Sequence, residues 1–363
     1  MTSAASSGPT DSGPTYFYTA SGATGDIAVY RLDPDRESLM PAATVAVGSG
    51  HDLSSIAIDA PRRRLYAADR TRPGIVTFAI DPADGALTEL AVVPTQSPVV
   101  YLSLSADRGR IFGASYVDGN VCGHTVDADG LACPAERSAL PFGTDAHCHC
   151  VIETPGGELW VASLGHDRLY RVGQDPVTGR LAERRSPVEA TPASGPRHLA
   201  FSARRSEVYV IGERDARITA YPLSGQPRTW TTLPDEIRLA PGRIRSAGAD
   251  NPTHDAATGF PFTWAADLAL SPDERLLFST ERSSSTVSVT SALTGELLSW
   301  AYAERQPRGL SIDPAGEFLL VTGEQSETVS LFRVQADGTD LGLVDQVPAP
   351  VGLLWARAVT FTQ

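Results

Sequence analysis

Apolar and polar positions alternate with a period of two residues along most of the chain, in short runs separated by glycine, aspartate and serine. A period of two is typical of a strand with one buried face, whereas an amphipathic helix repeats about every 3.6 residues. The 32 glycines and 27 prolines suit tight turns and would break helices. The pattern therefore predicts an all-β protein.

One strand–turn–strand unit returns along the whole chain, for example SIAIDAPRRRLYAAD at 55–69 and YLSLSADRGRIFGAS at 101–115. Each unit continues into a third alternating run and a more variable fourth one, which is the content of a propeller blade. A bulky residue in the second strand marks each copy: Phe17, Tyr66, Phe112, Trp160, Tyr209, Phe278 and Leu320. Seven units of four antiparallel strands predict a seven-bladed β-propeller.

The two ends of the chain predict how the ring closes. The repeat opens on a second strand at 16–20 and ends on a first strand at 353–362, so the C-terminal strand should complete the first blade and remove an open sheet edge. Residues 1–15 are small and polar and are expected to form a disordered tail, which leaves 16–363 as one domain. The longest interval between markers predicts a long loop between Asp235 and Phe262.

Charge and composition exclude several classes of function. Thirty basic and 43 acidic residues give a net charge of −13, which disfavours binding to nucleic acid or to an anionic membrane. Every basic residue is arginine, so lysine Schiff-base and pyridoxal phosphate chemistry is excluded. No segment has the length of apolar sequence that a membrane helix needs. We expect a cytoplasmic monomer or weak homodimer that acts on a small anionic substrate.

Ionisable side chains concentrate at one end of the predicted ring. Because adjacent strands are antiparallel, the start of a blade's first strand and the end of its second lie at the same edge. Counting from the bulky markers places these polar residues around one opening of the central channel: Arg70, Tyr101, Tyr116, His149, Arg197, His198, Glu213, Asp267, Arg282, Arg308 and Glu324. Titratable groups clustered in a concavity indicate a site.

The same residues can also have purely structural roles. Arg197 and Glu213 can form an ion pair within one blade, and Asp267 can cap a turn. The alternating histidines and cysteines of 147–150 suggest a metal site, but strand alternation would send the two residue types to opposite faces. We therefore expect no metal and no cofactor.

Several of these segments are similar to one known family. They are SGPRH at 194–198, Glu213 after the following strand, WAAD at 264–267 and QPRG at 306–309. From about Tyr16 onward the sequence resembles the seven-bladed propeller lactonase family, which includes bacterial 6-phosphogluconolactonase and the fungal carboxy-cis,cis-muconate cyclase. The resemblance implies a catalytic group of His149, Arg197, Glu213 and Arg308. We expect the remaining rim residues to bind substrate: Arg70, Tyr101, Tyr116, His198, Asp267, Arg282 and Glu324.

Three functions follow, of which a metal-independent lactonase acting on an anionic sugar or sugar-acid lactone is the leading hypothesis. Arg197 and Arg308 would hold the anion and offset charge on the carbonyl oxygen, while Glu213 or His149 would transfer the proton. The second hypothesis uses the same residues to cyclise or isomerise an unsaturated carboxylic acid. The third is a noncatalytic propeller that binds a partner on this face.

Overall fold

The computed structural model describes residues 12–48, 50–134, 139–175, 178–244 and 252–362. These residues form seven four-stranded antiparallel sheets and a 3₁₀ turn at Thr144–Ala146, without an α-helix. The predicted seven-bladed, all-β architecture is therefore confirmed. Nowhere in this described part is there a helix long and apolar enough to cross a membrane.

The strands follow one another in this order: β1 Ser12–Ser21, β2 Asp26–Asp33, β3 Ser38–Ala46, β4 Leu53–Asp59, β5 Arg64–Asp69, β6 Gly74–Ile80, β7 Leu87–Pro94, β8 Tyr101–Leu104, β9 Arg110–Ser115, β10 Asn120–Thr125, β11 Leu140–Pro141, β12 Cys148–Thr154, β13 Glu158–Ser163, β14 Arg168–Gln174, β15 Leu181–Glu189, β16 Pro196–Ser202, β17 Glu207–Gly212, β18 Arg217–Pro222, β19 Arg228–Thr231, β20 Ala265–Leu270, β21 Leu276–Glu281, β22 Thr286–Ser291, β23 Leu297–Tyr302, β24 Pro307–Ile312, β25 Phe318–Gly323, β26 Thr328–Val334, β27 Leu341–Pro348 and β28 Leu353–Thr362.

Six blades consist of four consecutive strands, and the remaining one combines both ends of the chain in the order β28-β1-β2-β3. Strand β28 is the innermost strand of that blade and pairs antiparallel with β1, from Ser12 opposite Thr362 to Ser21 opposite Leu353. It also packs against β4 and β24 of the two neighbouring blades. The predicted closure of the ring by the C-terminus is confirmed.

Burial explains why the second strand of each blade carries the clearest repeat. Strands β13, β21 and β25 are buried at every position, whereas the outer strands β3 and β7 are exposed at many positions. A second strand lies between two neighbouring blades, so both of its faces must be apolar. The seven bulky markers are all at most 2% exposed, in these interblade layers.

A β-bulge interrupts the inner strand of several blades at equivalent positions. The pairing registers of β12, β16 and β24 each skip one residue, and the skipped residues are His149, Arg197 and Arg308. Strand β4 skips Ser54 in the same way. A bulge bends the strand and re-aims the extra side chain, so these residues leave the regular alternation of their strands.

Three details differ from or refine the sequence predictions. Residues 12–15, assigned above to the tail, form the start of β1, while residues 1–11 lie outside the described residues. The strict alternation expected across 147–150 is wrong, because His147 precedes β12 with a φ of 47° and the bulge falls at His149. The long loop lies where predicted, since 232–264 connects β19 to β20 and the other blade-to-blade connections have four to six residues.

Candidate active site

The bulges of the inner strands and the ends of the second strands meet at one end of the channel, around a pocket of about 230 Å³. The bulged residues His149, Arg197 and Arg308 contribute to its wall. The other ionisable or aromatic lining residues follow second strands or precede an inner strand: Arg70, Tyr116, Glu213, Trp264 and Arg282. Seven of the eleven predicted rim residues thus line one cavity.

Glu213 joins two blades through a pair of guanidinium groups. Its Oε2 accepts a hydrogen bond from Arg197 Nε at 2.9 Å and another from Arg282 Nη2 at 2.8 Å. Burial opposes ionisation, but the positive charges of Arg282 and Arg197 prevail and lower the pKa of Glu213 below its ordinary value. A carboxylate held in this way is a poor proton acceptor and a strong anchor for both arginines.

Arg282 is held in place by two backbone carbonyl groups and by an aromatic ring. Its Nε donates to the carbonyl of Trp264 at 3.0 Å and its Nη2 to the carbonyl of Ala265 at 2.9 Å. The guanidinium also lies 3.7 Å from the centroid of the Trp264 ring. These contacts hold a fully buried cation at the pocket wall.

A second chain of hydrogen bonds orients Arg197 from behind. Its Nη1 donates to His198 Nε2 at 3.0 Å and to the carbonyl of Ala266. Because Nε2 must accept, the proton of His198 resides on Nδ1, which donates to Asp267 Oδ1 at 2.7 Å. Burial and the charge of Arg197 lower the pKa of His198 to about 4, so the imidazole is neutral near pH 7.

His149 is a buried titratable residue that lines the pocket. It has no ion-pair partner in the described part of the chain. Its residue is 6% exposed, and its Nδ1 has no hydrogen-bond partner among the described residues. Burial and the nearby charge of Arg197 lower the pKa of His149 well below its ordinary value of 6.5. The imidazole ring is therefore neutral near pH 7 and lies beside several guanidinium groups.

Two further ion pairs lie at the mouth of the pocket. Arg308 Nη1 donates to Glu324 Oε2 at 2.9 Å, and Arg70 Nη2 donates to Asp52 Oδ1 at 2.7 Å. Tyr116 forms the facing wall, with its ring edge-on to His149 at 6.0 Å. Burial and the charge of Glu213 raise the pKa of Tyr116 to about 12, which keeps its phenol protonated.

Four predicted rim residues do not line this pocket. His198 and Asp267 lie behind Arg197, where they are 1% and 2% exposed. Tyr101 packs its ring edge against His198 and Trp355, each at 5.2 Å, and so belongs to the channel interior. Glu324 borders an adjacent recess that Arg70 also lines.

Sequence reasoning missed Trp264 and Val100 as pocket residues. Val100 precedes β8 at the position equivalent to the bulges, and the counting rule could not choose between it and Tyr101. Trp264 immediately precedes β20 within the WAAD segment, which was noted only for its similarity to a family. The signal for both was their place one residue before an inner strand.

The charges of the lining indicate the kind of ligand. Four arginines and one glutamate face the pocket, so the cavity is electropositive although the chain carries a net charge of −13. Fixed guanidinium groups bind planar oxyanions and stabilise negative charge that develops on oxygen. Among the described residues, no group of three or more His, Cys, Asp and Glu side chains is arranged to hold a metal ion.

The sequence of the whole chain is similar to those of known proteins. Residues 15–355 match the family described as "Lactonase, 7-bladed beta-propeller". The chain is 29% identical over 327 residues to the 6-phosphogluconolactonase of Enterobacter sp. (strain 638), covering 88% of this chain and 91% of that protein. It is 27% identical over 345 residues to the 6-phosphogluconolactonase of Erwinia tasmaniensis, covering 93% and 96%.

A solved structure shows the same fold. The periplasmic gluconolactonase PpgL of Pseudomonas aeruginosa superimposes with a TM-score of 0.77 at 22% identity, covering 95% of this chain and 99% of that one. At this level of identity the similarity concerns the architecture of the propeller.

Proposed function

The chain belongs to the seven-bladed β-propeller lactonase family, and on that premise we propose that it hydrolyses a sugar lactone bearing an anionic group, with His149 as the general base. The observation that carries the proposal is a neutral, buried imidazole beside arginines that are locked in place by Glu213 and His198. The relatives named 6-phosphogluconolactonase make 6-phosphogluconolactone the first substrate to test.

The proposed reaction follows from these side chains. A ring nitrogen of His149 takes a proton from water as the water oxygen bonds to the lactone carbonyl carbon. Arg197 and Arg308 offset the negative charge that develops on the carbonyl oxygen. The ring C–O bond then breaks, and the imidazolium returns its proton to the departing oxygen, so the product is a hydroxy acid.

Glu213 is a positioning residue in this scheme. Its Oε2 accepts hydrogen bonds from the guanidinium groups of Arg197 and Arg282 and so keeps both of them in position. Its lowered pKa makes it a weak base. For this reason we assign the proton transfer to His149, which forms no such ion pair among the described residues, and not to Glu213.

Isotope labelling tests the reaction type. Hydrolysis in H₂¹⁸O should place one ¹⁸O atom in the carboxylate of the product, as measured by mass spectrometry. Cyclisation or isomerisation of an unsaturated acid would instead exchange a carbon-bound proton in ²H₂O and incorporate no oxygen. If neither label enters any lactone or unsaturated acid tested, the protein is not the proposed enzyme and a noncatalytic scaffold is favoured.

Paired variants test the residue roles. His149→Ala should lower kcat by about 10²–10⁴-fold, the usual contribution of general acid–base catalysis. His124→Ala is the matched control, because His124 is also buried but lies in β10 and outside the pocket. Equal kcat values for His149→Ala and His124→Ala, with both proteins folded, would contradict the assignment.

We also propose that the protein works in the cytoplasm as a monomer or weak homodimer. The four cysteines are unpaired, which suits a reducing compartment. Cell fractionation and light scattering of the purified protein test the two statements.

A further inference from the structure

A second cavity lies beside the active-site pocket, under the long connection from β19 to β20. It has a volume of about 480 Å³ and is called the annex here. Its walls come from the described parts of that connection and from the turns before β24 and after β21 and β25. Because the other blade-to-blade connections have four to six residues, this wall is a particular feature of one blade.

The annex adjoins the active-site pocket. Trp264 and Arg282 contribute to the lining of both cavities, so a single stacked pair of side chains forms the partition. On the other side, the annex is lined by Gln325, which follows Glu324 directly, and by Gln306, which lies two residues before Arg308. The two cavities therefore lie side by side and share one wall.

The annex attracts anions. Its described lining contains Arg243, Arg282 and Arg305 but no aspartate or glutamate. Arg305 Nη2 donates to the neutral Gln325 Oε1 at 3.3 Å, and Arg243 Nη2 lies 3.6 Å from Asp255 Oδ2. Long contacts of this kind made by exposed arginines are weak, so both guanidinium groups can turn to a ligand at little cost.

The annex has a larger volume than the active-site pocket beside it. The pocket holds about 230 Å³, which suits one small ring, and the annex is about twice that size. Side-chain amides of Gln306 and Gln325 and the hydroxyl groups of Thr253 and Ser283 supply further polar contacts at its surface. Guanidinium groups with such neighbours recognise groups with several oxygens.

We propose that the annex is the subsite for an anionic, phosphoryl-type substituent that the substrate carries beyond its lactone ring, with Arg305 and Arg243 as its charge partners. This inference rests on the proposed lactonase function and adds where specificity resides. The lactone ring occupies the pocket at His149, and the substituent passes Trp264 into the annex.

Kinetics with two substrates test the subsite. The ratio of kcat/KM for 6-phosphogluconolactone to kcat/KM for unphosphorylated gluconolactone should fall about tenfold or more in the double variant Arg243→Ala/Arg305→Ala. Arg36→Ala is the control, because Arg36 is a strongly exposed arginine outside both cavities and its loss should leave the ratio at the wild-type value. An unchanged ratio in the double variant would overturn the proposal.

A binding measurement separates failure of the subsite from failure of the proposed reaction. Calorimetry with 6-phosphogluconate and with gluconate needs no turnover. Tight binding of the phosphorylated acid to the wild type and at least about tenfold weaker binding to the double variant support the annex even if no lactone is hydrolysed. Equal binding to both proteins, or no binding of the phosphorylated acid to the wild type, overturns it.

Discussion

At the residue scale, the site combines a neutral base with fixed cations. The pKa of His149 is lowered because the ring is buried and because Arg197 and other charges repel a proton. The same arginines are held by Glu213 and by the neutral His198, so their charges are already directed at the pocket before substrate binds. Preorganised charge of this kind costs no reorientation during the reaction.

The lowered pKa of His149 predicts the pH dependence of catalysis. The base acts only when neutral, and its pKa lies well below 6.5, so kcat/KM should stay level as the pH falls through 6.5 and decline only in more acidic solution. The measurement is a pH profile from pH 4 to 7, corrected for spontaneous hydrolysis of the lactone. An acidic limb centred at or above pH 6.5 would show that the base is not this buried imidazole.

Two substitutions at His198 test its positioning role. His198→Gln keeps an acceptor for Arg197 Nη1, whereas His198→Leu of similar size removes it. We expect kcat/KM to fall about tenfold or more for leucine relative to glutamine, because a charged donor loses a buried partner. Equal activities in two variants with the same melting temperature would mean that His198 only fills space.

At the scale of elements, the β-bulge is the feature that places the chemistry. A regular inner strand would alternate its side chains between the two neighbouring blades, whereas the extra residue at three of the four equivalent bulges lines the pocket and Ser54 at the fourth does not. His149, Arg197 and Arg308 all owe their position to this device. Their function therefore depends on how closely the inner strands pack around the axis.

Gly309 tests this close packing next to the bulged Arg308. A Cβ atom at Gly309 would lie 2.8 Å from the backbone Cα of Trp355 in β28, so Gly309→Ala must push two inner strands apart. We expect a loss of about 1–3 kcal/mol in the free energy of unfolding, measured by denaturant titration. The matched control is Gly342→Ala in β27, where a Cβ would meet no atom within 4 Å. Equal stability of the two variants would contradict the packing argument.

At the scale of the whole molecule, the ring depends on one strand from the far end of the chain. Strand β28 supplies the inner edge of the first blade and packs against β4 and β24, so it joins the first blade to both neighbours. The ring thereby keeps the inner strands in register around the axis, which holds the arginines of different blades near one another.

Removal of residues 353–363 should therefore abolish the cooperative fold. The deletion exposes the backbone donors and acceptors of β1 that now pair with β28, and it opens two interblade surfaces. Calorimetry should show no sharp unfolding transition, and the truncated protein should aggregate. A truncated chain with an unchanged melting temperature would show that the ring does not need this strand.

The sequence by itself determined the architecture of this lactonase. Blade number, strand order, closure and the position of the long loop could be predicted, because interblade burial imposes an apolar second strand in every repeat. The same periodicity identified which end of the channel collects ionisable side chains.

Apart from the Arg197–Glu213 pair within one blade, which the sequence indicated, only the tertiary structure decided which of these side chains meet. Arg282 reaches Glu213 across a blade boundary, and the inner-strand bulges bring His149 to the pocket while Tyr101 stays in the interior. The curvature of the ring and the local strand register set the distances between side chains of different blades. The spacing of residues along one strand determines neither of them.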